Sequence, residues 1–209
     1  MDTRTLAFVG VAALLTITPG ADMAIVTKVA LGQGRRAALL TTLGILSGLL
    51  VWGFASALGL AALFTASATA FTILKLVGAA YLIYLGIQAF RQNQHHGSDS
   101  VTNSNQTGER RHTTAFRQGL LGNLLNPKIG VFYTTFLPQF IAPGDPVLFK
   151  SVLLTLIHAF LSLLWLVVYA SFVTRSGDLL RRPKVKQGLD RVTGVVLITL
   201  GLRLALEKQ

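Results

Sequence analysis

The sequence predicts an all-α membrane protein: six transmembrane helices arranged as two inverted three-helix repeats, with the first and fourth helices broken. Three observations carry that expectation. Of 209 residues, 52% are apolar and only 13% are charged, with a mean hydropathy of +0.58; a soluble domain carries about 25% charged residues. Residues 37–64 form a run of 28 without a single charge, about 42 Å as a helix, more than the roughly 30 Å of a hydrocarbon core. Finally, the cations fall on alternate connections between apolar segments.

The apolar segments are 5–27, 37–64, 71–90, 116–141, 147–173 and 189–206. The first opens Met1-Asp2-Thr3-Arg4, lacks an Ala-x-Ala exit and ends near Pro19-Gly20-Ala21-Asp22, so it reads as a retained helix and not as a cleaved leader. The second has almost no polar face, which a helix of a soluble bundle would need. In the third, Lys75 stands near one end and is expected to snorkel. Arg117, Asn123, Asn126, Pro127 and Lys128 make the fourth the least apolar. The fifth holds His158, and the sixth is short for a full crossing.

Thirteen of the 19 Lys and Arg residues fall on the first, third and fifth connections or at the segment ends that adjoin them, among them Arg35, Arg36, Arg91, Arg110, Arg111, Arg117, Arg175, Arg181, Arg182 and Arg191. By the positive-inside rule these connections are cytoplasmic and both termini lie outside. The net charge of +11 is thereby a matter of topology, and nucleic acid is not an expected partner; the lipid bilayer is. With no cysteine, disulfides, thiolate metal sites and thiol redox chemistry are excluded.

Three regions follow: a first repeat over 1–91, a flexible cytoplasmic linker over 92–114 rich in His, Ser, Asn, Thr and Gln, and a second repeat over 115–209. His95 and His96 in the linker have no Cys or carboxylate cluster to complete a metal site, so neither a metal nor a cofactor is expected. The halves match weakly. Thr18-Pro19-Gly20 corresponds to Asn126-Pro127-Lys128, Trp52 to Trp165, and the stretch from Val77 to Gly86 to that from Thr193 to Gly201. An odd number of helices per repeat inverts the second relative to the first, an arrangement that in secondary transporters puts the site near the midplane between repeats.

The chemistry concentrates at the two prolines. Proline breaks the hydrogen-bond ladder of a spanning helix, tolerable only against protein or a wet cavity. Thr18 is expected to cap a helix starting at Pro19, and Asn126 one starting at Pro127. Each restarted helix would aim free N–H groups and a positive dipole end into the membrane, suited to a carboxylate. A simple kink filled by Ser or Thr hydroxyls is the plainer alternative. Asp22 and Lys128 are charges well inside spans, where such residues cost roughly 2.5 to 3.5 kcal/mol and usually act. Lys128 needs an anion nearby, either Asp22 or a substrate carboxylate; a static Asp22–Lys128 pair that fixes packing is the other reading. Gly44, Gly48, Trp52, Ala55 and Gly59 make a stripe of small residues around one indole, for packing or for lining a path. His158 could relay protons or stay neutral and hydrogen-bonded.

Together Thr18-Pro19-Gly20-Ala21-Asp22, Gly44 through Trp52, Gly78-Ala79-Ala80-Tyr81-Leu82, Asn126-Pro127-Lys128 and Leu137-Pro138-Gln139-Phe140 resemble the LysE/RhtB family of amino-acid exporters over nearly the whole chain. Ala21 departs from the second proline of many members. The resemblance implies proton-driven efflux of amino acids, of the homoserine, threonine and neutral branch, across a bacterial cytoplasmic membrane, with protons and a small amino acid as partners and a homo-oligomer allowed. The expected substrate-binding residues are Thr18, Pro19, Gly20, Asp22, Asn126, Pro127 and Lys128, with Asp22 also coupling to protons. An intramembrane hydrolase using Ser47 or Ser162 with His158 and a passive channel are the competing readings.

Overall fold

The computed structural model describes residues 2–66, 68–91, 108–180 and 183–206, and these are helical apart from short connections. In order they form α1 (Thr3–Ile17), α2 (Ala21–Gln33), α3 (Arg35–Ala66), α4 (Ala68–Arg91), α5 (Gly108–Leu124), α6 (Pro127–Val131), a π-helical turn (Phe132–Phe136), a 3-10 turn (Leu137–Phe140), α7 (Val147–Leu180) and α8 (Pro183–Leu206). Arg35–Gly59 and Val147–Arg175 are each long and apolar enough to cross a membrane, and α1 with α2 makes a third such stretch bent by 45°. Of the linker expected over 92–114, residues up to 107, including His95 and His96, lie outside the described residues, as do Arg181 and Arg182 and the side chain of Lys75; from Gly108 onward the chain is helical.

Asp2 starts α1, its side chain accepting from the Thr5 N–H at 2.6 Å, an N-cap that satisfies one orphan donor. Gly34 alone joins α2 to α3. Its φ of 84° suits glycine, and its N–H bonds back to the Ala30 carbonyl at 3.1 Å. The first segment thus runs helical to Gln33, beyond the apolar stretch, and carries Lys28 within a helix.

Helix α3 packs on α5 and α7, α7 on α1 and α2, and α4 on α8. The α3–α5 crossing brings main chain against main chain: a Cβ on Gly44 would strike the Phe116 carbonyl, and one on Gly119 the Thr41 carbonyl. Small residues permit such approach. Across it Thr41 Oγ1 donates to the Ala115 carbonyl at 3.1 Å. Gly48 lies against Asn123, and Trp52 against Gly130, but Gly59 faces open space. The small-residue stripe is therefore a contact surface in its first half only.

Pro138 explains the irregular turn after α6. In the π-helical stretch Leu137 N–H bonds to the Phe132 carbonyl, five residues back. The next carbonyl, Tyr133, would take the N–H of residue 138, which proline lacks. Ser56 Oγ supplies the donor instead, at 2.6 Å from α3. The largest core cluster surrounds this turn and includes Phe8, Leu15, Phe132, Tyr133, Phe136 and Leu154.

Candidate functional site at the two helix breaks

The first break is a three-residue interruption. Thr18 is the C-cap of α1, and its hydroxyl donates to the Leu14 carbonyl at 2.6 Å. The N-cap of α2 is Gly20, with no side-chain cap bond. Two sequence expectations are corrected here: Thr18 does not cap the second helix, and Pro19 lies before its first turn. The reason is local competition, since a Thr hydroxyl readily bonds back to the carbonyl one turn earlier, here the same Leu14 carbonyl that accepts the Thr18 N–H at 3.0 Å. The second break follows expectation. Asn126 accepts the Lys128 N–H on Oδ1 at 3.1 Å, with Pro127 opening α6.

Lys128 is 8% exposed. Its ammonium donates to the carbonyls of Leu15 at 3.2 Å and Thr18 at 3.0 Å. It therefore sits on the carbonyl end of α1, where the helix dipole is negative and the last carbonyls lack partners. Among the described residues the one ion pair is Lys150–Asp2, so Asp22 and Lys128 are not in direct contact. Gly20 makes room for this arrangement. A Cβ there would stand 3.1 Å from Lys128 Nζ, closer than an ordinary contact.

Asp22, in the first turn of α2, accepts from Asn123 Nδ2 at 2.9 Å on Oδ2, while its Oδ1 is buried without a partner. Asn123 Oδ1 and Asn126 Nδ2 are likewise buried and unpartnered. Buried polar groups are normally satisfied. Here two acceptors and one donor are left over around the same break, a complement suited to an added group with both a positive and a negative end.

A small cavity lies beside Asp22 and Lys128. Leu15, Thr16, Thr18, Gly20, Asp22, Met23, Ile45, Leu49, Lys128, Ile129, His158, Ser162 and Leu166 line it. Its volume, about 20 Å³ for the centre of a water-sized sphere, suffices for one water molecule or so. An amino acid requires the walls to separate. On the α7 side, Ser162 Oγ lies 3.4 Å from Thr16 Oγ1, and His158 Nδ1 is 3.2 Å from the Tyr133 hydroxyl.

The cavity thus gathers Thr18, Gly20, Asp22 and Lys128, with Asn126 behind Lys128. Pro19 and Pro127 shape the breaks and do not line it; nor do Gly44, Gly48 and Trp52. Asn123, Thr16 and Tyr133 were not expected as site residues, and Ser162 was named only in the hydrolase reading. For Asn123 a signal existed: it precedes Asn126 by three residues, one face of a helical turn. Nothing local marks the others, which meet the site from distant helices.

The whole chain resembles known membrane proteins. An uncharacterized membrane protein of Bacillus subtilis, YrhP, is 32% identical over 205 residues, covering 96% of this chain and 98% of the relative. The homoserine/homoserine lactone efflux protein of Salmonella typhimurium is 32% identical over 192 residues, 92% and 91% of the two chains. The threonine efflux protein of Salmonella typhi is 29% identical over 188 residues, 90% and 86%. No solved structure matches. The model of the LysE type translocator family matches residues 13–208, and the chain belongs to that family, whose members carry solutes and are not enzymes.

Proposed function

We propose that this protein is a secondary transporter that exports neutral amino acids, homoserine-like or threonine-like, across the bacterial cytoplasmic membrane by proton antiport. One observation carries the reading: the ionisable groups Asp22 and Lys128 share a buried cavity at two helix breaks, with Asp22 Oδ1 unpartnered. A zwitterion fits such a set. Asp22 is the acceptor for its ammonium, held in place by the Asn123 amide. Lys128 has three donors, of which two are used, and the third, with the N-terminus of α2, which has no side-chain cap, is available to its carboxylate. Asp22 can exchange the substrate ammonium for a proton, which makes the two mutually exclusive, as antiport requires.

In this reading α1 to α4 form the first repeat and α5 to α8 the second, with six crossings in all. The contact pattern supports an approximate two-fold: α3 packs on α5 as α7 packs on α1 and α2, and α4 packs on α8. The odd connections and the linker face the cytoplasm, and the termini face outside. The hydrolase alternative loses support because the Ser47 hydroxyl is spent on the Leu43 carbonyl at 3.0 Å in an exposed position.

The test is an intracellular and extracellular amino-acid profile of cells with and without the protein. Export against a gradient, abolished by a protonophore, is the expected result; export that only equalises concentrations would indicate a channel. Asp22→Asn, which keeps the volume and removes the charge, is expected to abolish export at wild-type expression.

A further inference from the structure

We propose that Thr16 and Ser162 form a subsite for the side-chain hydroxyl of the carried amino acid, which makes hydroxy amino acids the preferred substrate class. The proposal rests on the transport reading above and deepens it: Asp22 and Lys128 hold the ends common to every amino acid, and this pair selects the side chain.

Thr16 on α1 and Ser162 on α7 both line the cavity. Their hydroxyl oxygens stand 3.4 Å apart, beyond the roughly 2.5 to 3.0 Å of a well-made O–H···O bond. Neither hydroxyl is used by its own helix. Elsewhere in the bundle Ser and Thr hydroxyls turn back to the carbonyl four residues earlier, as at Thr42, Ser47, Thr155 and Thr199, and Thr18, the remaining hydroxyl residue of the cavity lining, is spent in this way on Leu14. Among the described residues Thr16 and Ser162 bond through their hydroxyls only to each other.

What is left over does not depend on which of the two donates. A pair of hydroxyls holds two protons and four lone pairs, and one contact uses one of each. One proton and three lone pairs remain. A substrate hydroxyl matches that remainder, because it can accept the free proton and donate its own, whereas an alkyl side chain can do neither and strands both groups once the substrate has displaced water. A site that bonds a substrate hydroxyl rejects the analogue lacking it for this reason. The uncharged remainder of the lining is mostly aliphatic, with Leu15, Met23, Ile45, Leu49, Ile129 and Leu166, and suits the methylenes of a short side chain. A hydroxyl bonded to both oxygens at about 2.8 Å and a tetrahedral angle would set them about 4.6 Å apart. Seating it therefore parts α1 from α7 by about 1.2 Å at this point, in the direction in which the cavity must widen to admit an amino acid.

The experiment uses the full chain in proteoliposomes, with counterflow of labelled L-homoserine or L-threonine competed by each of these and by L-2-aminobutyrate, which is either of them without its hydroxyl. In the wild type, 2-aminobutyrate should need a concentration about tenfold or more above that of the better hydroxy amino acid for half-inhibition, the scale of one or two neutral hydrogen bonds. Ser162→Ala and Thr16→Val should each shrink that ratio severalfold by weakening the hydroxy amino acid while leaving 2-aminobutyrate within about twofold. Thr16→Ser, which keeps the hydroxyl, should retain the preference. Equal competition by 2-aminobutyrate in the wild type overturns the subsite even if neither variant folds. Loss of both competitors by the same factor in the variants marks a packing contact between α1 and α7 and overturns it too. In both of those cases amino-acid counterflow persists, whereas no counterflow of any amino acid by the wild type would refute the transport reading itself.

Discussion

Replacing Gly44 by Ala tests the main-chain contact that holds α3 to α5. The added Cβ would lie 2.8 Å from Leu120 N and 3.0 Å from the Phe116 carbonyl carbon, with the Phe116 oxygen nearer still. Ordinary contacts begin near 3.4 Å, so the helices must separate by about 0.6 Å at Leu120 and further at Phe116. Every obstructing atom is main chain, and no rotamer change relieves it. Overpacking of this kind costs about 1 to 3 kcal/mol. Stretching the Thr41–Ala115 bond, 3.1 Å across the same crossing, adds about 1. Alanine's advantage over glycine inside a helix returns about 0.5 to 1, leaving a loss of about 1 to 3.5 kcal/mol. At about 2 to 4 °C per kcal/mol for a chain of this size, thermal unfolding in detergent should shift down by about 2 to 14 °C. Gly59→Ala on the same helix, where nothing lies within 4 Å, is the control and should be neutral or slightly stabilising. Gly119→Ala should resemble Gly44→Ala, and the double variant should cost less than the sum, because the first substitution already parts the helices. Equal melting of Gly44→Ala and Gly59→Ala would refute the reasoning.

Three further outcomes are expected. Lys128→Met removes the charged donor from the Leu15 and Thr18 carbonyls and should lower stability by about 1 to 3 kcal/mol; in transport competition it should also erode the wild type's preference, at least about tenfold, for an amino acid over its amide. The Asp2 carboxyl is held well below the usual carboxylate range by Lys150, at 2.5 Å, and by Thr5. A depressed carboxyl contributes stability above its unfolded value, about 3.9, and loses it as pH falls toward the folded one. Asp2→Asn, which keeps a competent N-cap, should therefore melt slightly below wild type at neutral pH and converge with it in acid; because Asp2 is exposed, the difference should stay within about 3 °C, and a gap that widens in acid would contradict the linkage. For topology, the cysteine-free background permits single cysteines: at Ser98 or Arg182 they should be shielded from an impermeant reagent in intact cells, and at Pro143 they should react. Gly144 is the poorer site, because its φ of 93° suits glycine alone. Labelling at Ser98 without permeabilisation would reverse the orientation.

Sequence determines whatever is settled within a few residues along the chain. The uncharged run 37–64 makes a spanning helix because no alternative satisfies its backbone in lipid, and Arg35–Gly59 is such a helix. Asn126-Pro127 starts α6 because cap and first turn are neighbours, and Pro19 announces a break, which is the 45° bend. What meets the carbonyls around Thr18 was decided by tertiary structure. Its hydroxyl turns back to Leu14, and the carbonyls exposed beyond it are met by Lys128, 110 residues away from Thr18. The partner of a buried charge is whichever group packing leaves unsatisfied nearby. For Lys128 that group is the carbonyl end of α1 and not Asp22, for Asp22 it is Asn123, and for the Tyr133 carbonyl it is a serine on α3, because the proline that freed it cannot itself donate. Composition and spacing announce that such groups exist; only the folded chain brings each one its counterpart, because those counterparts come from helices remote in sequence.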